Sequence, residues 1–188
     1  LTIRHCIIDF RGNITNNYYD NNLLKSMQGG EIYASWLYPV AINYNGGTAD
    51  DLSLDTLYVC DFYNGNYELY YDLESSFNSS YLLPVLTKDN YTFKGYYDAN
   101  DNQLFIANGG PSMTRITNQE ILKNLIGSEI TAKFQAKKYA ITLDNQSATE
   151  AGSKKIYFFY DNGIFIDSAC KNQMSSTQIG RASCRERV

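Results

Sequence analysis

A Ser-His-Asp or Cys-His hydrolase needs a histidine as its base, and this chain of 188 residues carries one, His5. His5 reads as a surface or edge-strand side chain rather than a catalytic base. Cys6, Cys60 and Cys170 lie far apart with no Cys-x-x-Cys spacing, so they suggest neither a metal site nor a disulfide framework. Asp98-Ala99-Asn100-Asp101-Asn102 opens like a calcium loop. An EF-hand then requires Gly and, six residues on, Glu; here those positions hold Gln103 and Gly109. A hairpin turn is therefore the first reading and weak calcium binding the second. The glycine pairs in Asn45-Gly46-Gly47 and Asn108-Gly109-Gly110 lack the Lys-Ser/Thr that a phosphate loop places at its helix start. Carboxylates are plentiful, but nothing in the sequence brings two to the spacing that glycoside hydrolysis needs. The tyrosines remain as the best candidates for a binding surface, since aromatic faces stack on sugars and fill interfaces. Tyr18-Tyr19, Tyr70-Tyr71 and Tyr96-Tyr97 must each put one ring outward if they lie in strands. The bland alternative is that the outward rings only support cross-strand packing. No catalytic residue, metal ligand or cofactor is expected, and no ligand-binding residue is assigned.

The last ten residues, Ile179 to Val188, read IGRASCRERV. They resemble the translation of a high-throughput sequencing adapter, with Gln178 supplying the AG that precedes it. They are excluded from the fold reading, and their removal is expected to leave the fold unchanged. Lys and Arg then fall from 16 to 13 and Asp and Glu from 20 to 19, so 13 − 19 leaves a net charge of −6 over residues 1–178. An acidic chain without a basic block argues against nucleic acid, whose binding depends on cations neutralising phosphates. No apolar run approaches the roughly 20 residues that span a bilayer, so no membrane insertion is expected within this fragment. With Leu1 first and no leader pattern, both ends read as open.

A period of about 99 residues organises the chain. Glu31-Ile32-Tyr33-Ala34-Ser35-Trp36 faces Glu129-Ile130-Thr131-Ala132-Lys133-Phe134 at an offset of 98. Backward, Leu23, Leu24, Lys25, Met27 and Gly29 face Ile121, Leu122, Lys123, Leu125 and Gly127, and His5 faces Gln103. Forward, Ala41-Ile42 meets Ala140-Ile141 and Leu57-Tyr58-Val59 meets Ile156-Tyr157-Phe158 at offset 99, and Asn64-Gly65 meets Asn162-Gly163. The expected domains are the C-terminal part of a repeat (1–37), a complete repeat (38–136), the start of a further repeat (137–178) and the adapter segment (179–188).

Within the complete repeat, strands are predicted at Val40–Asn45, Thr56–Tyr63, Tyr67–Tyr71, Asn90–Tyr97, Gln103–Ala107 and Glu129–Phe134. Asn64-Gly65 signals a hairpin. Gly95 predicts a bulge that brings Phe93 and Tyr96 to one face despite their odd spacing. Thr117-Asn118-Gln119-Glu120 fits a capping box opening a short helix, with Ile121, Leu122, Leu125 and Ile126 on its buried side and Gly127 as C-cap. The sum is an α+β, β-rich unit. Asn13-Ile14-Thr15, Asn78-Ser79-Ser80, Asn90-Tyr91-Thr92 and Asn145-Gln146-Ser147 match the glycosylation sequon and read as chance matches in an Asn-rich chain.

These motifs resemble those of the Listeria–Bacteroides repeat, the internalin-type B repeat. Asn90-Tyr91-Thr92-Phe93-Lys94-Gly95-Tyr96-Tyr97 is similar to its GYTFxGYY signature. Glu31 to Trp36 resembles its closing TLYAKW, and Ala41-Ile42-Asn43-Tyr44-Asn45-Gly46-Gly47-Thr48 its opening VTFDANGGT. Tyr139 to Gln146 is a variant of that opening. Asn90 replaces the first Gly, Phe134 the closing Trp, and the unit is longer than the family's usual one. The resemblance implies tandem ubiquitin-like β-grasp repeats in a secreted or cell-wall-attached bacterial protein. Its implied role is a non-catalytic stalk or adhesion spacer, with a host or cell-surface protein or a glycan as partner. The alternative is a carbohydrate-binding accessory module of a larger secreted enzyme.

Overall fold

The computed structural model describes residues 7–8, 35–62, 65–72, 77, 80–144 and 154–175. His5, Cys6, Tyr18-Tyr19, the segment 23–29 that faces 121–127, Asn64 and the segment 179–188 lie outside the described residues, as do the sequons at Asn13, Asn78 and Asn145. The chain divides into two compact units, residues 1–87 with 93–133 and residues 88–92 with 134–188.

Ten strands and two short helices are described. A mixed sheet takes β1 (Ile7–Ile8), β2 (Ser35–Asn43), β3 (Thr56–Asp61), β4 (Tyr67–Tyr70), β5 (Tyr91–Tyr97), β6 (Gln103–Phe105) and β7 (Glu129–Ala136). Its order is β4-β3-β2-β7-β5-β6, with β1 beside the start of β2. β2 runs antiparallel to β3 and parallel to β7, through Ala41–Glu129, Ile42–Ile130 and Asn43–Thr131. The helices α1 (Met113–Ile116) and α2 (Gln119–Leu125) lie between β6 and β7 in sequence. β8 (Lys138–Thr142), β9 (Lys155–Phe159) and β10 (Gly163–Phe165) form a separate antiparallel meander. The fold is thus β-rich with little helix, as expected.

β2 is one continuous strand whose halves bury opposite faces. Ser35 and Leu37 are buried on one face, and Val40 and Ile42 on the other. Because side chains alternate, these four positions require a change of buried face between Leu37 and Val40. Leu37 packs with Cys60 and Tyr70, and Tyr58 and Phe62 join them. Across the sheet, Leu57, Val59 and Leu69 face the same way as Val40, set by the pairs Val40–Leu57, Tyr38–Val59 and Val59–Leu69. The three strands β2, β3 and β4 therefore bury apolar side chains on both faces, which one amphipathic sheet packing on one core would not do.

Pro39 sits at the change of face. Ile42 N donates to Asp55 O at 2.8 Å, so by alternation Tyr38, Val40 and Ile42 bond toward β3 and Pro39 points away. On that far edge β1 pairs with Ser35 and Trp36, and β7 begins at Ala41. The proline's missing N–H falls in the gap between them and costs no ladder bond.

In β5, Gly95 has φ +113° and a Cβ on it would run into Phe105 O. The β5–β6 register shifts between Tyr96 and Tyr97. Phe93 and Tyr96 are both buried, their rings 5.3 Å apart and edge-on, as the bulge predicts. Tyr96 also meets Phe105 at 6.3 Å and donates its hydroxyl to Pro84 O at 2.7 Å. At α2 the expected cap moves by one residue. Asn118, not Thr117, is the N-cap, accepting from Glu120 N and Ile121 N at 3.1 Å each. The Thr117 hydroxyl instead donates back to Met113 O at 2.7 Å, because α1 ends there. Gly127 follows α2 with φ +75°, as a C-terminal glycine should.

Candidate functional site

The residues with chemistry are mostly spent on the fold. Asp98 is buried, and its Oδ1 accepts from Asn100 N at 3.0 Å and Asn102 N at 2.7 Å. Its Oδ2 accepts from Asn102 Nδ2 at 2.8 Å. Asp101 pairs with Lys133, and Arg115 donates to Asn102 Oδ1 at 2.8 Å. The Asp98 oxygens thus close the β5–β6 turn instead of facing a cation, which favours the hairpin reading over a calcium loop. No group of three or more His, Cys, Asp or Glu comes together to hold a metal among the described residues.

Asn45 and Gly46 have φ +50° and +71°, with Gly47 N bonded to Tyr44 O at 2.9 Å, the signature of a tight turn. In the second glycine pair, Asn108 Oδ1 takes Gly110 N at 2.9 Å. Cys60 is buried and Cys170 partly so, neither in a disulfide. Burial, with Glu68 and Asp61 adding to it, pushes the Cys60 thiol up to about 12, which removes it as a thiolate nucleophile at neutral pH. The sequon residue Asn90 accepts from the Tyr139 hydroxyl at 3.1 Å.

Of the described tyrosine pairs, Tyr96-Tyr97 lies within β5, while Tyr71 falls one residue past the end of β4, so strand alternation bears only on the former. Tyr70 and Tyr96 are buried, and Tyr71 and Tyr97 are half-buried. Lys133 Nζ lies 5.0 Å from the Tyr97 ring centroid and covers it. Tyr71 stacks on Tyr81 with ring centroids 4.5 Å apart and planes 17° apart. The Tyr71 ring also walls an open groove of about 360 Å³. Asp50, Asp51, Leu82 and Val85 line the groove with it, and Leu82 and Val85 are well exposed. Two backbone bonds pin the loops that make this groove: Thr48 N to Thr87 O at 2.9 Å and Thr87 N to Thr48 O at 2.8 Å. The Ser53 hydroxyl and backbone N–H hold the Asp51 carboxyl below the usual range. Carboxylates beside a stacked aromatic pair can receive hydroxyl donors while an apolar face rests on the ring. Of the groove's walls, only Tyr71 was a sequence candidate. Asp50, Asp51, Leu82 and Val85 carry no motif, and the Thr48–Thr87 pairing that joins them is not encoded in any local spacing.

Comparison with family models, with curated proteins and with solved structures finds no match for this chain.

Proposed function

We propose that this chain is a non-catalytic repeat module of a secreted or cell-wall-attached bacterial protein, acting as a stalk or adhesion spacer. The observation that carries this reading is a strand junction that occurs twice. In the first instance the closing motif ending at Trp36 and the opening motif at Ala41 share the single strand β2. In the second, the closing β7 and the opening β8 are separated by Lys137 alone. Each opening strand then enters an antiparallel meander, β2-β3-β4 and β8-β9-β10. Both meanders turn through a backbone bond spanning four residues, Phe62 O with Gly65 N at 2.8 Å and Phe159 O with Asn162 N at 2.9 Å, the second one residue earlier than the period places it. At β2 a single strand carries both the closing and the opening motif with no linker between them, which suits a spacer.

The β-grasp reading is supported by the order β3-β2-β7-β5, which sets the unit's first and last strands parallel and adjacent. The departure is that helix occurs between β6 and β7, while the crossing from β4 to β5 holds none among the described residues. The test is recovery of the complete reading frame. Further units with the same junction support the stalk, and a catalytic domain beside one or two units overturns it. The groove at Tyr71 favours the second reading, a carbohydrate-binding accessory module, for which a glycan titration lost in Tyr71→Ala is the corresponding test.

A further inference from the structure

We propose that the groove walled by Tyr71 selects glycans that carry free amino groups, the ammonium held by Asp50 and Asp51 and the apolar face of the sugar ring resting on Tyr71. The inference rests on the carbohydrate-binding reading and names the ligand class of that same groove.

Charge sets the sign of the occupant. Residues 26–87 contain no Lys, Arg or His and eight Asp and Glu. Every residue that lines the groove, from Ala49 to Val85, falls inside this stretch. Asp50 and Asp51 are exposed. Among the described residues the salt bridge is that of Lys133 with Asp101, and neither Asp50 nor Asp51 is in one. Asp51 Oδ1 accepts from Ser53 N at 2.8 Å, which orients the carboxylate and leaves it further acceptor capacity. Two carboxylates in a stretch without cations attract an ammonium and repel a uronate, a sialate or a sulfate.

Shape sets its kind. One wall is pinned where the Tyr44 hydroxyl donates to Leu54 O. The other is pinned where the Tyr96 hydroxyl donates to Pro84 O at 2.7 Å and Leu83 N to Gly109 O at 2.9 Å. A Cβ on Gly109 would run into Leu83 O, so that wall lies directly against backbone. The groove is therefore formed before a ligand arrives, and little ordering is left for binding to supply. Tyr71 is steadied by its stack on Tyr81, and Leu82 and Val85 add an apolar lip. A flat ring beside carboxylates matches a pyranose, which has an apolar C–H face and polar substituents at its rim. A lysine stem has no flat face to offer and loses rotamer entropy when it lies on one.

The experiment titrates the full chain with a β-1,4-linked glucosamine hexamer and with its fully N-acetylated counterpart, at about pH 6, where the carboxylates stay ionised. The two ligands share a backbone and differ in charge. The expected result is at least about tenfold tighter binding of the free-amine hexamer, a preference that added salt erodes. An oligouronate should not bind. Asp50→Asn combined with Asp51→Asn should remove the preference and leave the weaker, neutral binding. Tyr71→Ala should weaken both hexamers, and Glu68→Gln, in the same acidic stretch but not lining this groove, should change neither. Equal binding of the two hexamers would overturn the charge selection and leave the carbohydrate reading standing. An equal loss in Glu68→Gln would reduce the effect to the acidity of the whole stretch and overturn the site. Binding of neither hexamer, with or without capture of a lysine-rich peptide in their place, would overturn the site and the carbohydrate reading together.

Discussion

At Gly95 and Gly127 the backbone has positive φ, yet the two glycines should respond differently to alanine. A Cβ on Gly95 meets Phe105 O, whereas one on Gly127 meets nothing within 4 Å. Gly127→Ala should therefore cost about 1–2 kcal/mol, the left-handed penalty alone, and Gly95→Ala clearly more, because β5 and β6 must separate. Urea denaturation of both variants checks the order; equal losses would mean that the bulge tolerates a side chain. Aromatic truncation separates two rings in the same way. Phe93 is 8% exposed, and Phe93→Ala should cost about 3–5 kcal/mol. The sequence places Phe134 at an equally central motif position, but it is half-buried, edge-on to Tyr91 at 6.5 Å and under Lys88. The motif positions alone predict equal losses of about 3–5 kcal/mol for Phe93→Ala and Phe134→Ala, but half-burial should make the Phe134→Ala loss the smaller of the two. Burial also sets an alkaline limit. The Cys60 thiol moves from 9.0 to about 12, and burial, then Cys60 and Glu68, moves the Tyr70 hydroxyl from 10.0 to about 12. Both groups are neutral when protonated and their folded values are raised, so their contribution is full below the unfolded values. It is lost as pH rises through the folded ones. Stability should hold to about pH 9 and fall from there to pH 12, and Cys60→Val should delay the onset. A pH series of urea midpoints that stayed level across this window would contradict the buried placement.

The elements written by local chemistry were legible in the sequence: turn glycines, the bulge glycine of β5 and the apolar stripe of α2 all stand where their residue types place them. What was not legible depends on neighbours. Thr117 and Asn118 both suit an N-cap, and only the presence of α1 engages the Thr117 hydroxyl and leaves Asn118 to cap. Asn118→Ala should therefore cost about 1 kcal/mol in thermal or chemical melts, and Thr117→Ala less; the reverse order would restore the capping box. Gln119 is a similar case. Its Oε1 takes Tyr67 N at 2.6 Å and its Nε2 gives to Tyr67 O at 3.0 Å. One side chain thus occupies a backbone pair on the edge strand β4, the kind of protection sheet edges need, and nothing in the sequence announces it. The sequence predicts a strand from Val40 and a separate closing motif ending at Trp36, whereas β2 runs unbroken from Ser35 to Asn43 through Pro39, a residue that ordinarily breaks pairing. Only the gap between β1 and β7 explains why it does not break this strand.

On the scale of the whole molecule, the two meanders differ in how much they bury. The first has buried side chains on both faces, while among the described residues of β8, β9 and β10 only Phe165 is buried. Amides of β8 to β10 should therefore exchange faster than those of β3, β5 and β7. The registers differ too: Ala41 pairs with Thr56, while Ala140 pairs with Tyr157, two positions beyond the counterpart of Thr56 at offset 99. An even slip keeps every side chain on its own face, so the period in the sequence survives a change in the ladder. The account stands or falls on whether the end of one unit and the start of the next are a single strand. Denaturant-dependent amide exchange across β2 tests this most directly. Trp36, Tyr38, Val40 and Ile42 all bond toward β3 and should open together, with one free energy and one denaturant slope. A separate, lower-energy opening of Trp36 and Tyr38 would place a hinge at Pro39 and contradict the spacer built on that strand.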